Sequence, residues 1–499
     1  MKLQCVPPTA LTDEEIGQIT EAAVRIAADV PLRVTGASPG GREDTYTDQL
    51  LAMLRAFGCR VSDEQDRVHF PEEVIGRVTA AIAGHRASMP ESEADYPEEL
   101  SISASGQALW CCDPQDDHLR AATVKDLADL SRVVDAIEGL GRSHPTFIPQ
   151  DVPAATAEVH AFATIILNSS GPYRVSVYTA ELLPHFIELD TIARGDREAV
   201  NSSPTFAAKA WWNTPFMLTG ENIGIAMKAR ELMGLPVTVS TMPVAGAATP
   251  TTLAGSLALM TAEVLQCNAI SLAVDDRVMG WTAGPLTIDP RSGIHTQSGP
   301  DTQLLGLGAQ QIAAHLFGGT LMVQGGPTTG AKVPGAQAMM EKTVNTTWAI
   351  LGGRRSFGSL ATLAFADVGS VVQLMLDIEM CSHLQRLLRG IRVDAETIAE
   401  EVIREVAPRG AYFLGHEHTV EHFRQELWLP ELVDLRVPMA WIDEPGTMVD
   451  NARAKALRLL ETGENQCPLT DQQRQQVREV VADAERLADE KGLEDARRI

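Results

Sequence analysis

Leu235-Pro-Val-Thr-Val-Ser-Thr-Met-Pro-Val-Ala-Gly-Ala-Ala-Thr-Pro-Thr-Thr-Leu-Ala-Gly255 decides the fold. The segment 236–241 alternates valine with hydroxyl side chains, the pattern of a short strand. A turn-rich loop follows. Thr249-Pro250 then reads as an N-cap with proline at the first helical position, and a long apolar helix follows. One strand, one loop and one helix make a repeating unit whose loop leaves the strand's C-terminal end.

The same unit recurs outward in both directions. Further strands are expected at 145–149, 173–178, 205–211, 273–281, 320–324 and 350–357. Helical patterns separate them at 154–167, 180–193, 221–233, 250–266, 302–316 and 335–348. Strands alternating with helices predict a parallel sheet with crossover helices. Seven units are plain, which favours a closed TIM (β/α)8 barrel of the α/β class over an open sheet, with the eighth strand unplaced.

The barrel is expected over 96–430. Before it, 1–95 reads as an N-terminal helical region, a cap or oligomerisation layer: Thr12-Asp-Glu-Glu15 is a capping box followed by Ile16, Ile19, Ala23 and Ala27 on one face. Two more helices are expected, over 48–57 and from about Pro71. After the barrel, 431–499 reads as a C-terminal helical extension. It comprises an amphipathic helix over 449–460 and a charged one opened by Thr470-Asp-Gln-Gln473.

Bulk composition narrows the function. The 499 residues are 44% hydrophobic, 21% charged and 5% aromatic, ordinary values for a globular chain. The formal charge of −25 repels phosphate backbones, so nucleic acid is not an expected partner. Seven cysteines, an odd number without framework spacing, read as reduced thiols of a cytoplasmic protein. The first ten residues show no secretory signal. The apolar run 252–274 carries Glu263, Gln266 and Asn268, which suits a buried helix running into a strand better than a membrane span.

Two motifs invite stronger readings. His418-Thr-Val-Glu421-His422 fits the inverted zinc-peptidase pattern, in which two histidines four apart share a helix face and the glutamate activates water. A metal-dependent hydrolase using His418, Glu421 and His422 is therefore an alternative. Helix capping is the blander reading, and no metal is expected. Gly325-Gly-Pro-Thr-Thr-Gly330-Ala-Lys332 resembles a phosphate loop, but Lys332 stands one place late and Val333 replaces the hydroxyl residue. A glycine-rich barrel loop fits better.

No nucleophile–base pair is legible from spacing, so the sparse aromatics carry the site prediction. Trp211, Trp212, Phe216, Trp281 and Phe357 fall at or near strand ends, where a barrel binds its ligands. Ring faces there can hold an alkylammonium by cation–π attraction, at ~0.5–2 kcal/mol per ring. The competing reading is that these rings plug the interior.

Several longer stretches resemble the trimethylamine methyltransferase superfamily: Ile148-Pro-Gln-Asp-Val-Pro153, the quoted 235–255 segment, Gly325 to Glu341, Leu388-Arg-Gly-Ile-Arg-Val-Asp394 and Phe413-Leu-Gly-His-Glu-His-Thr-Val-Glu-His-Phe-Arg424. The resemblance spans roughly residues 15–470 and implies a TIM barrel. It also implies methyl transfer from a methylated amine to the Co(I) of a corrinoid (cobalamin) carried by a partner protein. Members acting on trimethylamine carry pyrrolysine, which this chain lacks; similar members without it demethylate quaternary amines such as glycine betaine. That family's C-terminal signature usually keeps the two histidines of the apparent zinc motif but not its glutamate.

The chain departs from this family at Trp211-Trp-Asn-Thr-Pro-Phe216, at Gly330, where relatives often show aspartate, and at Gly353-Arg-Arg-Ser-Phe-Gly358. The expected substrate-binding residues are Trp211, Trp212, Asn213, Phe216, Trp281, Gln150, Gln324, Arg354 and Phe357, with Arg354 for an anionic end. They position rather than perform acid–base chemistry. A homo-oligomer is expected, and a barrel that binds a quaternary amine without turnover is a further alternative.

Overall fold

The computed structural model describes residues 8–36, 45–63, 66–89, 97–141, 146–171, 173–319 and 325–493. The architecture is mixed α/β. Parallel segments follow one another around the molecule, with Ser356–Leu360 beside Ser101–Ala104, and Ser101–Ala104 beside Leu140–Gly141. Val175–Ser176 pairs with Phe206–Ala207, Ala210–Trp212 pairs with Val239–Thr241, and Thr241 bridges to Ala283. Ser101–Ala104 is one of the strands that the sequence alone does not place.

Among the described residues these pairings form short separate sheets and no closed cylinder. The expected strand 320–324 lies outside the described residues, as does the start of 145–149, where Phe147 makes a single parallel bridge to Ala108.

Two expected strands are corrected. Residues 273–275 end the helix Leu253–Asp275, and 276–281 is a loop. Asn268 explains it: its side chain accepts the N–H groups of Met279 and Gly280 and donates to the Gly280 carbonyl, supplying the partners a neighbouring strand would offer. Residues 350–351 likewise belong to Ala336–Leu351. The chain turns at Gly352 and Gly353, and the strand occupies Ser356–Leu360. The boundary at Thr249-Pro250 also moves, since the helix starts at Leu253 behind Thr252, while Thr249 Oγ1 lies 2.5 Å from Ser256 Oγ.

Leu253–Asp275 is the one helix among the described residues long and apolar enough to cross a membrane, and it is largely buried within the protein. A helix apolar on all sides belongs in a core. Its polar residues are used there: Gln266 donates to the carbonyls of Ala27 and Val30 at the end of Asp13–Asp29, at 2.9 and 2.8 Å. These carbonyls have no partner inside their own helix, so one amide satisfies a buried helix terminus.

The N-terminal region is less helical than expected. Leu32–Thr35, Arg60–Val61 and Arg67–His69 form a small sheet, and Leu32–Thr35 pairs in parallel with Met217–Thr219. The capping box of Thr12 and Glu15 is present. Ile16, Ile19, Ala23 and Ala27 enter a core shared with residues 210–317. The C-terminal helices Met448–Thr462 and Asp471–Lys491 join a second core shared with residues 104–206. Both flanking regions thus complete the burial of the central part.

Candidate functional site

The C-terminal ends of Val239–Thr241, the Ala283 bridge and Ser356–Leu360 converge on a cavity of about 290 Å3. Met242, Gln297, Gln303, Asn345, Arg354 and Phe357 supply its principal side chains, with Gly325 and Gly326 in the wall. Phe357 is buried and offers an apolar surface. The Arg354 guanidinium lies 5.5 Å from the Phe357 ring centroid, and its Nε donates to the Ser356 carbonyl at 2.8 Å. Burial pulls its pKa below the usual arginine value; a guanidinium is a cation in proteins at neutral pH. No carboxylate, imidazole or thiol lines the cavity among the described residues.

Two loops shape the rim, and Glu341 ties the first together. Its carboxylate accepts from the Gly330 N–H at 2.7 Å, Thr329 Oγ1 at 2.8 Å, Ser298 Oγ at 3.0 Å and Gln337 Nε2 at 2.9 Å. Burial works to raise this carboxyl, but those hydrogen bonds outweigh it and hold it below the usual glutamate value. Lys332 folds back to the Gly330 carbonyl at 2.7 Å, so it serves its own loop. At Gly330 a Cβ would come within 2.9 Å of the Phe365 ring, so a side chain there does not fit this packing.

The second loop runs from Ser359 to Ala366. Ser359, Ala361, Ala364, Phe365 and Ala366 all take positive φ, between 47° and 82°. Such backbone costs ~1–2 kcal/mol per non-glycine residue and persists where surroundings over-determine it. Here the Ala364 and Phe365 N–H groups donate to the carbonyls of Ala331 and Thr329, zipping the two loops together. Ala361 N–H donates to Asp377, which also pairs with Lys342 at 2.7 Å; both side chains are fully buried. Nothing in the sequence announces this loop, because alanine and phenylalanine carry no turn signature.

Of the expected residues, Arg354 and Phe357 come together at the cavity. Trp212 and Phe216 instead lie in the hydrophobic core beside Leu253–Asp275 and do not line it. Trp281 packs partly buried against that core and donates to the Ala283 carbonyl at 3.0 Å. Trp211 is half-buried, and the Lys209 ammonium sits 4.2 Å over its ring. Asn213 accepts from Asn222 at 3.3 Å, and the exposed Gln150 turns back to the carbonyls of Ile148 and Pro149. Gln324 lies outside the described residues.

Sequence reasoning missed Met242, Gln297, Gln303 and Asn345. Gln303 and Asn345 each sit on a helix, where isolated amides read as surface polarity, yet Gln303 donates to Asn345, and Asn345 donates to the Thr328 carbonyl at 3.2 Å.

The apparent zinc motif lies on the helix Glu417–Glu426. The His416 ring accepts the His418 N–H at 3.2 Å and caps the helix, Glu421 is exposed, and His422 faces Glu396 at 3.7 Å. Among the described residues no three His, Cys, Asp or Glu side chains converge to hold a metal.

The family model described as trimethylamine methyltransferase (MTTB) matches residues 3–487. The trimethylamine methyltransferase MttB of Methanosarcina thermophila is 25% identical over 444 residues, covering 86% of this chain and 88% of its own. The glycine betaine methyltransferase of Desulfitobacterium hafniense strain Y51 is 24% identical over 458 residues, covering 90% and 92%. The solved monomethylamine methyltransferase of Methanosarcina barkeri superposes with a TM-score of 0.41 at 10% identity, covering 93% of this chain and 96% of that one. With a family model matched along almost its whole length, the chain belongs to the trimethylamine methyltransferase family.

Proposed function

We propose that the chain transfers a methyl group from a carboxylate-bearing quaternary amine of the glycine betaine class to the Co(I) of a corrinoid carried by a separate protein. The observation that carries this reading is Arg354, the single charged side chain in the cavity lining among the described residues. A cation there opposes a bare ammonium. It welcomes a zwitterion whose carboxylate pairs with the guanidinium, and Phe357 lies beside it for the methylated end. A glycine betaine methyltransferase stands among the relatives.

The residues present fit such chemistry. A cavity of about 290 Å3 suits a small amine and leaves no room for a corrin ring, so the methyl acceptor is presented at its mouth. The acceptor supplies the electron pair for the new bond to carbon. As the N–C bond breaks, its pair stays on nitrogen and a neutral tertiary amine departs. No proton moves in that step, in keeping with a lining that among the described residues holds no carboxylate, imidazole or thiol.

The chain's own work is then to desolvate the cation, hold the carboxylate at Arg354 and aim one methyl outward. Gln297, Gln303 and Asn345 orient the bound amine, while Trp211 and Trp281 stiffen the neighbouring wall. We read the parallel segments as staves of one (β/α)8 barrel. A reducing cytoplasm suits both Co(I) and the six described cysteines, all buried and unpaired.

The test mixes purified chain, Co(I) cobalamin and glycine betaine without oxygen and follows the cobalt spectrum. Conversion to the methylated cobalt spectrum with release of dimethylglycine is expected. Calorimetric binding of glycine betaine with no methylation, with either free cobalamin or a corrinoid protein, overturns catalysis in favour of a binding role.

A further inference from the structure

Lys342 and Asp377 form, among the described residues, the one ion pair whose two side chains are both fully buried. The ammonium lies 2.7 Å from Asp377 Oδ2. Neither side chain lines the cavity, and methyl transfer as drawn above gives neither a step. A buried pair of this kind can often be exchanged for apolar side chains of similar volume with little or no loss of stability. Stability alone therefore gives no reason for it, and its neighbours supply one.

The Asp377 carboxylate gathers three segments. Oδ2 takes the Lys342 ammonium from the helix Ala336–Leu351 and, at 2.9 Å, the Ala361 N–H from the loop that follows Ser356–Leu360. Oδ1 accepts Gln373 Nε2 at 2.8 Å within its own helix, Val371–Leu388. Ala361 is gripped on its other side as well, since its carbonyl accepts the N–H of Ser370, the cap of that helix, at 2.8 Å. With φ at 70°, Ala361 stands in backbone that an alanine keeps only under constraint.

Each element held in this way carries cavity residues close by. Asn345 lies about one turn beyond Lys342 on the same helix, and Glu341, next to Lys342, holds the 329–331 loop. On the strand side Phe357, Gly358 and Ser359 lead directly into Ala361. The Ser359 N–H donates to Ser105 Oγ at 2.6 Å, and its carbonyl accepts Thr362 Oγ1 at 2.7 Å. The ion pair thus stands behind the cavity wall and joins the helix of Asn345 to the strand end of Phe357. Apolar side chains in its place would fill the space without fixing a direction, whereas charge-assisted hydrogen bonds fix one.

We infer that Lys342 and Asp377 are positioning residues of the cavity. They set the helix that bears Asn345 against the strand end that bears Phe357 and Ser359, and thereby the direction in which a bound amine points its methyl group. The inference rests on the methyl-transfer reading of the cavity. In-line transfer is sensitive to that direction, since a displacement of about 1 Å can cost on the order of 100-fold in rate. Binding is less sensitive, because Arg354 stays in place.

Lys342→Met combined with Asp377→Leu tests this. The urea midpoint is expected to stay near the wild-type value. For cobalt methylation from glycine betaine, kcat is expected to fall about 10- to 100-fold while KM moves less than about threefold. Amide hydrogen exchange over 358–366, followed by mass spectrometry, is expected to quicken about tenfold or more. Lys342→Gln combined with Asp377→Asn keeps a donor and an acceptor, and is expected to bring kcat and exchange back to within about threefold of wild type. A folded apolar pair with wild-type kcat, or with wild-type exchange over 358–366, overturns the inference. Should the apolar pair fail to fold, Gln373→Met decides. It frees Oδ1, spares the ion pair and removes an amide oxygen that has no hydrogen-bond partner. Its kcat and exchange are expected to move in the same directions by about threefold, and unmoved values overturn the inference. A wild type that methylates no cobalt defeats the methyl-transfer reading by itself. The exchange comparison needs no turnover and then decides alone whether the pair holds the cavity wall.

Discussion

Glu263 lies beneath the 212–216 loop and Glu341 beside the 329–331 loop, and each ties its loop to neighbouring segments. Glu263 accepts Thr214 Oγ1 at 2.9 Å, Thr241 Oγ1 at 2.8 Å and the Phe216 N–H at 3.0 Å. It is fully buried, and burial pushes its carboxyl above the usual value although those hydrogen bonds pull the other way. Glu341 keeps part of its surface in water and is held below that value. The loop over Glu263 brings Trp212 and Phe216 and collapses into the core. The loop beside Glu341 brings glycines and hydroxyls and leaves a cavity. The same device therefore closes one strand end and holds another open, according to whether the loop it orders is aromatic or small.

The harshest way to break this comparison is Glu263→Ala. It strands two hydroxyls and one backbone N–H in a dry site, at ~1–3 kcal/mol for each group left unsatisfied. A net loss of about 3–5 kcal/mol is expected, read as a lowered urea midpoint. Glu263→Gln, which keeps an oxygen acceptor, is expected to lose much less. Equal melting of Glu263→Ala and wild type means that the closed strand end does not depend on its carboxylate.

Arg354 tests the open end. Arg354→Ala is expected to raise the KM for glycine betaine about 10- to 100-fold, the scale of one charge-assisted hydrogen bond of ~1.5–3 kcal/mol. Its urea midpoint is expected to change little. A kcat that falls while KM holds would place Arg354 away from the carboxylate.

What the sequence reveals follows the same division. Local signals were readable where one residue type does one job: the capping boxes at Thr12 and Thr470 and the helices Gly220–Met233 and Pro300–Phe317 appear where the pattern puts them. Leu253–Asp275 overran its expected end because periodicity cannot tell an apolar helix from an apolar strand, and Asn268 settled the matter from eleven residues away. The cavity was half legible. Arg354 and Phe357 stand out as types, whereas Gln303 and Asn345 meet across 42 residues, a proximity no local pattern encodes. The run of positive φ near Phe365 depends on contacts to Thr329 and Ala331 and leaves no trace in composition.

The opposed carboxyls predict opposite pH behaviour. Glu263 has its folded pKa raised above the unfolded value of about 4.3, so the folded state holds more protons and stability falls as pH rises through the window between the two. Glu341 has its folded pKa lowered; its contribution is complete above the unfolded value and is lost as pH falls through the folded one. From about pH 3.5 to 7, Glu263→Gln should therefore gain stability relative to wild type, while Glu341→Gln should lose it. Urea midpoints across that range check both signs, and parallel slopes for the two variants would dissolve the electrostatic contrast.

The smallest effect concerns Trp211, which borders the closed region and is also a natural candidate to hold the substrate's ammonium. The Lys209 ammonium already lies over its ring, and burial, aided by Arg174, pulls that lysine's pKa below the usual value. A second cation on the same face would meet repulsion. Trp211→Phe keeps a ring and weakens the pairing, so a stability change of at most ~0.5–1 kcal/mol is expected. The KM for glycine betaine should move less than about twofold, since a ring already engaged has little to give the substrate. Lys209→Met separates the alternatives: it frees the indole face, and if that face lies within reach of the amine the KM should drop. A Trp211→Phe variant that loses tenfold or more in KM would move the ammonium subsite from Phe357 to Trp211 and make the region over Glu263 the wall of a working site.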